Sequence, residues 1–271
     1  MILHLTDPHF GTEQPAVVRG LIALAARRRP GLVIVSGDIT QRARAGQFAA
    51  AHRFLNRLCA ECDADPRTGL LVIPGNHDLP LFNVALRLAD PYGPYTRWFG
   101  SDLEPTVAQP GIALLGVNTT RPWRHQHGEV SSAQIARVVE RLQRCAPDAL
   151  KLVVTHQPLH VIEADDAKDL LRGHLAARQA WADAGADLLL SGHTHQSFVA
   201  PLPAPLDATW VVQTGTAVSS RIRERVPNSV HLIRHSGLPA GQRAVVERWD
   251  WDGDGAFAQV AETVVPARGA A

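Results

Sequence analysis

The chain has 271 residues, 45% of them hydrophobic, enough for a sizeable core in one large domain or two small ones. A net charge of +1 with neutral histidines gives no global electrostatic case for nucleic acid or an anionic membrane. Three cysteines exclude a disulfide framework, and no apolar run approaches the ~18–20 residues of a membrane span.

The first half alternates short apolar, β-branched runs with amphipathic stretches. Strand Ile2–Thr6 is expected to lead into helix Pro15–Arg28, which Pro30-Gly31 ends, and strand Leu32–Ser36 into helix Ala45–Cys59. Strand Leu70–Pro74 follows a turn-rich stretch. Such alternation predicts a parallel sheet with helices on its faces. Residues 79–110 break the pattern with prolines, the aromatics Tyr92, Tyr95, Trp98 and Phe99, and one expected helix, Val84–Leu88. We read them as an insert over the site rather than sheet.

Strand Ile112–Val117 resumes the core, and the polar, His-rich 118–129 reads as a loop. Ser131 or Ser132 can cap a helix Ala133–Cys145. Strand Lys151–Thr155, helix Ala167–Ala184 and strand Asp187–Ser191 come next. From about residue 210 only strands are expected (Trp210–Gln213, Ser229–Arg234, Ala244–Trp251), as a second, mostly antiparallel sheet. No linker marks a boundary, so 1–271 reads as one domain. Opening directly on a strand, it reads as a cytoplasmic chain without a secretory leader.

Five motifs follow directly on five of these strands: Asp7-Pro8-His9, Gly37-Asp38, Gly75-Asn76-His77-Asp78, His156 and Gly192-His193-Thr194-His195. Ligand sites in open parallel sheets form outside the carboxyl ends of the strands. Each motif alone has a structural explanation as a turn or cap, but all five lie on the same side of the sheet. Asp, Asn and His without Cys point to zinc, manganese or iron rather than a thiolate site. Six or seven protein ligands suit two ions about 3.5–4 Å apart, bridged by one carboxylate and a water. Cys59 and Cys62 close a helix with no second ligand pair beside them and read as incidental thiols. The Asp250–Gly255 stretch lacks the bidentate position of a calcium loop and reads as a hairpin turn.

The motif order D-x-H, G-D, G-N-H-D, H, G-H-x-H resembles that of the calcineurin-like metallophosphoesterases over about residues 2–195. The resemblance implies an α/β fold, a four-layer α/β/β/α sandwich with two stacked mixed sheets. It implies one metal held by Asp7, His9, Asp38 and His195 and another by Asp38, Asn76, His156 and His193. It also implies that His77 assists the leaving group and that Asp78 orients His77. The opening Leu5–His9, the block His127–Ser131 with Gln134, and Arg221, Arg223 and Pro227–Ser229 are similar to the bacterial class III cyclic-nucleotide phosphodiesterase group. The implied function is hydrolysis of a cyclic nucleotide or other small phosphodiester by a metal-bridging hydroxide. The alternatives are a monoesterase and a nucleotide pyrophosphohydrolase, including one for lipid-precursor nucleotides. A non-catalytic binding module is disfavoured, because every motif residue is intact. His160, His125, His127, Arg221 and Arg223 are the candidate substrate residues. A small phosphoester is the expected partner; nucleic acid is not.

Overall fold

The computed structural model describes residues 1–224 and 226–269; Arg225 and the last two residues of the 1–271 domain reading lie outside the described residues. Two six-stranded sheets organise the chain. The first contains β1 (Ile2–Leu5), β2 (Leu32–Val35), β3 (Leu70–Val72), β10 (Ser229–Arg234), β11 (Gln242–Trp251) and β12 (Phe257–Pro266), ordered β12-β11-β10-β1-β2-β3. The second contains β4 (Thr106–Gln109), β5 (Ile112–Gly116), β6 (Leu150–Val154), β7 (Leu188–Ser191), β8 (Phe198–Pro201) and β9 (Trp210–Gln213), ordered β4-β5-β6-β7-β9-β8. In the first sheet the parallel strands β1–β3 form one half and the antiparallel β10–β12 the other; in the second a parallel centre, β5-β6-β7-β9, is flanked by antiparallel β4 and β8. The layers therefore follow the expected α/β sandwich of two mixed sheets.

Strict alternation of side chains along each strand explains why the central strands read as continuous apolar runs. In β2, Leu32 and Ile34 enter a cluster between the sheets, while Val33 and Val35 face the helices. In β7, Leu188 and Leu190 face the other sheet, and Leu189 faces the opposite helical layer. Helices α1 (Pro15–Arg28) and α2 (Ala45–Glu61) cover the first sheet; α5 (Ser132–Arg144) and α6 (His174–Asp183) cover the second. Ser131 caps α5: its Oγ accepts from Gln134 N at 3.2 Å, and the Gln134 side chain accepts from Ser131 N at 3.1 Å.

Three expectations change. The strands beyond residue 210 do not form a sheet of their own: β9 lies parallel to β7, while β10 lies antiparallel to β1. Periodicity marks a strand but not its partner, which only the sandwich closure decides. The insert holds two helices, α3 (Val84–Ala89) and α4 (Gly93–Phe99), and its last residues are sheet, with β4 pairing antiparallel to β5 through a turn at Gly111 (φ 77°). The single helix over 167–184 is instead a 3-10 turn at Ala164–Asp169 and α6, separated at Gly173 (φ 88°), which cannot continue a right-handed helix in that conformation. The insert's aromatics pack into the fold. Tyr95 is fully buried and donates to Val72 O at 2.9 Å, Trp98 and Phe99 join the core beside α2, and Tyr92 Oη reaches Thr120 O at 3.1 Å.

The β11–β12 connection is a hairpin turn in which Asp252 Oδ1 accepts from the N–H groups of Asp254, Gly255 and Ala256. No helix among the described residues is long and apolar enough to cross a membrane.

Candidate metal centre

The carboxyl ends of β1, β2, β3, β6 and β7 meet at one edge of the sandwich, and the five motifs meet with them. Asp7, His9 and His195 form one group; Asp38, His156 and His193 form a second. In the first, Asp7 Oδ1 lies 3.5 Å from His9 Nε2 and 3.3 Å from His195 Nε2, and the two imidazole nitrogens are 3.3 Å apart. In the second, Asp38 Oδ1 lies 3.3 Å from His156 Nε2, which is 3.3 Å from His193 Nδ1 and 3.1 Å from Asn76 Oδ1. The other Asp38 oxygen, Oδ2, is 3.7 Å from His9 Nε2, so this carboxylate faces both groups.

Forcing so many polar atoms together distorts the backbone. Asp7, His9, Asp38, His193 and His195 all have φ between 42° and 73°, a left-handed conformation that costs a non-glycine residue about 1–3 kcal/mol. Among the described residues only Arg29 and Ala43 are other non-glycine cases. The motif glycines answer to close approach. A Cβ on Gly75 would collide with Asp38 N and Oδ1, and one on Gly192 would collide with Thr6 Oγ1 and lie 2.5 Å from Asp7 Oδ2. Each glycine thus makes room for a carboxylate delivered by another strand.

The electrostatics suit a cation. Asp7 is fully buried; its Oδ2 accepts from Thr6 Oγ1 at 2.7 Å and His193 N at 2.9 Å, while Oδ1, turned toward the two histidines, has no hydrogen-bond partner. Burial by itself would raise the Asp7 pKa, but the His195 and His9 imidazoles beside Oδ1 hold it well below the ordinary carboxylate range. Asp38 is likewise held down against burial by the charges of His156 and His77. Burial lowers His156, yet the Asp38 carboxylate outweighs it and brings the imidazole up to about 9. Burial, with His156 alongside, pushes His193 down to about 3, leaving a neutral imidazole. The His156 Nδ1 is 2.8 Å from Ser36 O, so it donates there and leaves Nε2 for the site. Buried imidazole nitrogens converging on an unpartnered carboxylate oxygen fit a metal ion.

A family model described as Calcineurin-like phosphoesterase matches residues 1–197. The chain belongs to that family. It is a metal-dependent phosphoesterase. A cAMP/cGMP dual specificity phosphodiesterase of Mycobacterium tuberculosis is 26% identical over 227 residues, 79% of this chain and 67% of that protein. A protein of Rhodococcus erythropolis named "Probable cyclic nucleotide phosphodiesterase" is 26% identical over 213 residues, 73% of this chain and 66% of that protein. The matched stretch thus spans about two thirds of each relative's length. The fold is also that of a purple acid phosphatase from yellow lupin, with a TM-score of 0.69 and 12% identity over 98% of this chain and 53% of that one. A dimetal phosphatase from Danio rerio has a TM-score of 0.59 and 15% identity, with 98% of both chains covered.

The phosphoesterase cleft has a volume of about 630 Å³, and its walls include Asp38, His77, His125, Lys168, Arg221 and Arg223. His77 Nδ1 donates to Gln41 O at 2.9 Å, which leaves Nε2 facing Arg221 Nη1 at 3.1 Å and Asp38 Oδ2 at 4.0 Å. Asp78 makes no hydrogen bond to the His77 ring. Its carboxylate accepts from the N–H groups of Ile39 (3.0 Å), Thr40 (2.8 Å) and Gly75 (2.9 Å), tying the Asp38 loop to the Asn76 turn. Burial, reinforced by the Asp38 charge, pushes Asp78 up to about 6. His127 is exposed and does not line the cleft; nor does His160, whose ring packs edge-on against Phe198 with centroids 6.5 Å apart. Arg223 is paired with Asp166 at 2.8 and 2.6 Å. Buried Cys59 and Cys62 lie in the apolar cluster at the end of α2, where burial pushes their thiols up to about 11 and about 12.

Residues 164–169 supply cleft walls that the sequence reading missed. Asp169 Oδ1 accepts from Gln126 Nε2 at 3.0 Å and lies 3.8 Å from His193 Nε2, the ring nitrogen turned away from the ligand group. Gly173 was the one available signal that the helical pattern breaks before α6.

Beneath the centre, His4 and His231 face each other across β1 and β10 and share Thr214 Oγ1, at 2.9 and 2.7 Å from their Nδ1 atoms. Burial pushes His4 down to about 3, and burial, with His4 nearby, holds His231 well below the imidazole range. Both are therefore neutral in the fold but protonate at about 6.5 when unfolded. Their contribution to stability is full above pH ~6.5 and is lost as pH falls toward the lowered folded values. Between pH ~6.5 and ~5 the loss for His4 is about 1–2 kcal/mol, since the unfolded imidazole is already half protonated at the start of that interval. Urea unfolding at the two pH values should show His231→Gln losing less stability than wild type over this interval. An unchanged pH dependence in that variant would mean that His231 does not stay neutral in the fold.

Proposed function

We propose that this phosphoesterase cleaves small phosphodiesters, with a cyclic nucleotide as substrate, at a centre for two metal ions. The observation that carries the reading is Asp38, whose two carboxylate oxygens face two separate imidazole groups. Asp7, His9, His195 and Asp38 would hold one ion; Asp38, Asn76, His156 and His193 would hold the other. Manganese, iron and zinc suit this mixed donor set. Bound there, the ions would supply charge neutralisation at phosphoryl oxygens and a water of lowered pKa.

The protein's own groups do the rest. His77, fixed by Gln41 O, turns Nε2 to the cleft, where it accepts from Arg221 Nη1 at 3.1 Å; once protonated, it would give a proton or a hydrogen bond to the departing oxygen in place of that contact. Arg221, beside it, and Lys168 supply cationic donors for the phosphate. The named activity of the curated relatives supports a cyclic nucleotide. The whole chain acts as one unit in this reading, since β10–β12 extend the sheet that β1–β3 begin.

Metal analysis of the purified protein, combined with a screen of cyclic nucleotides, aryl diesters, monoesters and pyrophosphates, tests the reading. We expect about two metal equivalents and the highest kcat/KM on a cyclic nucleotide. Faster turnover of monoesters or pyrophosphates than of any diester would overturn it.

A further inference from the structure

We infer that Phe82, with Arg42 and His125, forms a nucleobase-stacking subsite beside His77, which rests on the nucleotide reading above. A side pocket of about 80 Å³ is walled by Gln41, Arg42, Leu81 and Phe82 and shares Asn76, His77 and His125 with the main cleft. Phe82 is 71% exposed, unlike Tyr95, Trp98 and Phe99 of the same insert, which are drawn into the core. Packing therefore does not explain its place at the rim. The Arg42 guanidinium stands over its ring, 5.1 Å from the centroid, and the His125 ring lies 6.4 Å from that of His77.

These groups offer an aromatic face, a cation and an imidazole edge, while the candidate metal ligand Asn76 lines the same pocket. A ligand with its phosphate at the metal groups and a planar, polar-edged ring next to it matches that arrangement. A nucleobase on a sugar phosphate has this form. Stacking on an aromatic ring is tolerant of base identity, because every base presents a π-face. Adenine and guanine nucleotides should therefore gain similarly from Phe82.

The test is calorimetric binding of adenosine 5′-monophosphate and of ribose 5-phosphate to the metal-loaded protein. The two ligands share the phosphate and sugar and differ in the base. In the wild type the nucleotide should bind roughly 10- to 100-fold tighter, the range that base–aromatic stacking supplies. Phe82→Ala should collapse that gap and leave the ribose 5-phosphate affinity unchanged; Phe82→Trp should keep the gap. The exposure of Phe82 makes both substitutions compatible with folding. An unaltered gap in Phe82→Ala, or equal weakening of both ligands, would overturn the subsite. Hydrolysis of cyclic nucleotide is followed on the same three proteins. A wild type that fails to cleave it, while the nucleotide keeps its Phe82-dependent advantage in binding, overturns the phosphodiesterase reading and supports the subsite.

Discussion

Asp38→Ala should remove metal and activity together. Its carboxylate faces both imidazole clusters, with Oδ1 3.3 Å from His156 Nε2 and Oδ2 3.7 Å from His9 Nε2. Without it each cluster loses a donor, and the negative field that the burial of this carboxylate concentrates is lost with it. Metal content, measured by elemental analysis, should fall from about two equivalents to one or none, and turnover of every phosphoester should fall to background. Asp38 Oδ1 also accepts from His77 N at 2.8 Å, so the alanine variant loosens the turn that carries His77 as well. Asp38→Asn separates the two effects. It keeps an acceptor for that hydrogen bond but not the charge, and should lose metal nearly as completely. Full metal content and ordinary turnover in Asp38→Ala would exclude a shared carboxylate.

For His77→Ala the expectation is a split between substrates. The imidazole is held by Gln41 O and touches neither buried metal group within hydrogen-bond distance, so metal content should stay close to wild type. If Nε2 supplies the proton or hydrogen bond that the departing oxygen needs, kcat should fall roughly 10²–10⁴-fold on a diester with an alkoxide leaving group. A nitrophenolate leaves without that help, and its rate should fall far less. Steady-state kinetics on the two substrate types, with metal content measured on the same samples, decide the matter. Equal losses on both would assign His77 a purely positional role.

The candidate metal residues were legible in the chain because each follows a strand whose apolar run is unmistakable. The side-chain alternation that sends Leu32 and Ile34 one way and Val33 and Val35 the other also fixes where the strand ends. Parallel strands deliver their ends to one side of a sheet, which grouped Asp7, His9, Asp38, Asn76, His156, His193 and His195 as if on a single sheet; the structure divides these strands between two sheets, and the sandwich brings the β1–β3 ends against those of β6 and β7. What the chain alone did not determine depends on contacts between residues far apart in sequence. Whether β9 and β10 join one sheet or two follows from which apolar face each covers. The partner of His77 is the Gln41 carbonyl, 36 residues away on another loop, rather than the adjacent Asp78. Tyr95 and Trp98 turn inward because α4 packs against α2, while Phe82 stays exposed at the rim. Local periodicity carries element type and strand ends; the walls of the cleft are set by how loops dock on one another, a matter of tertiary packing that no local pattern encodes.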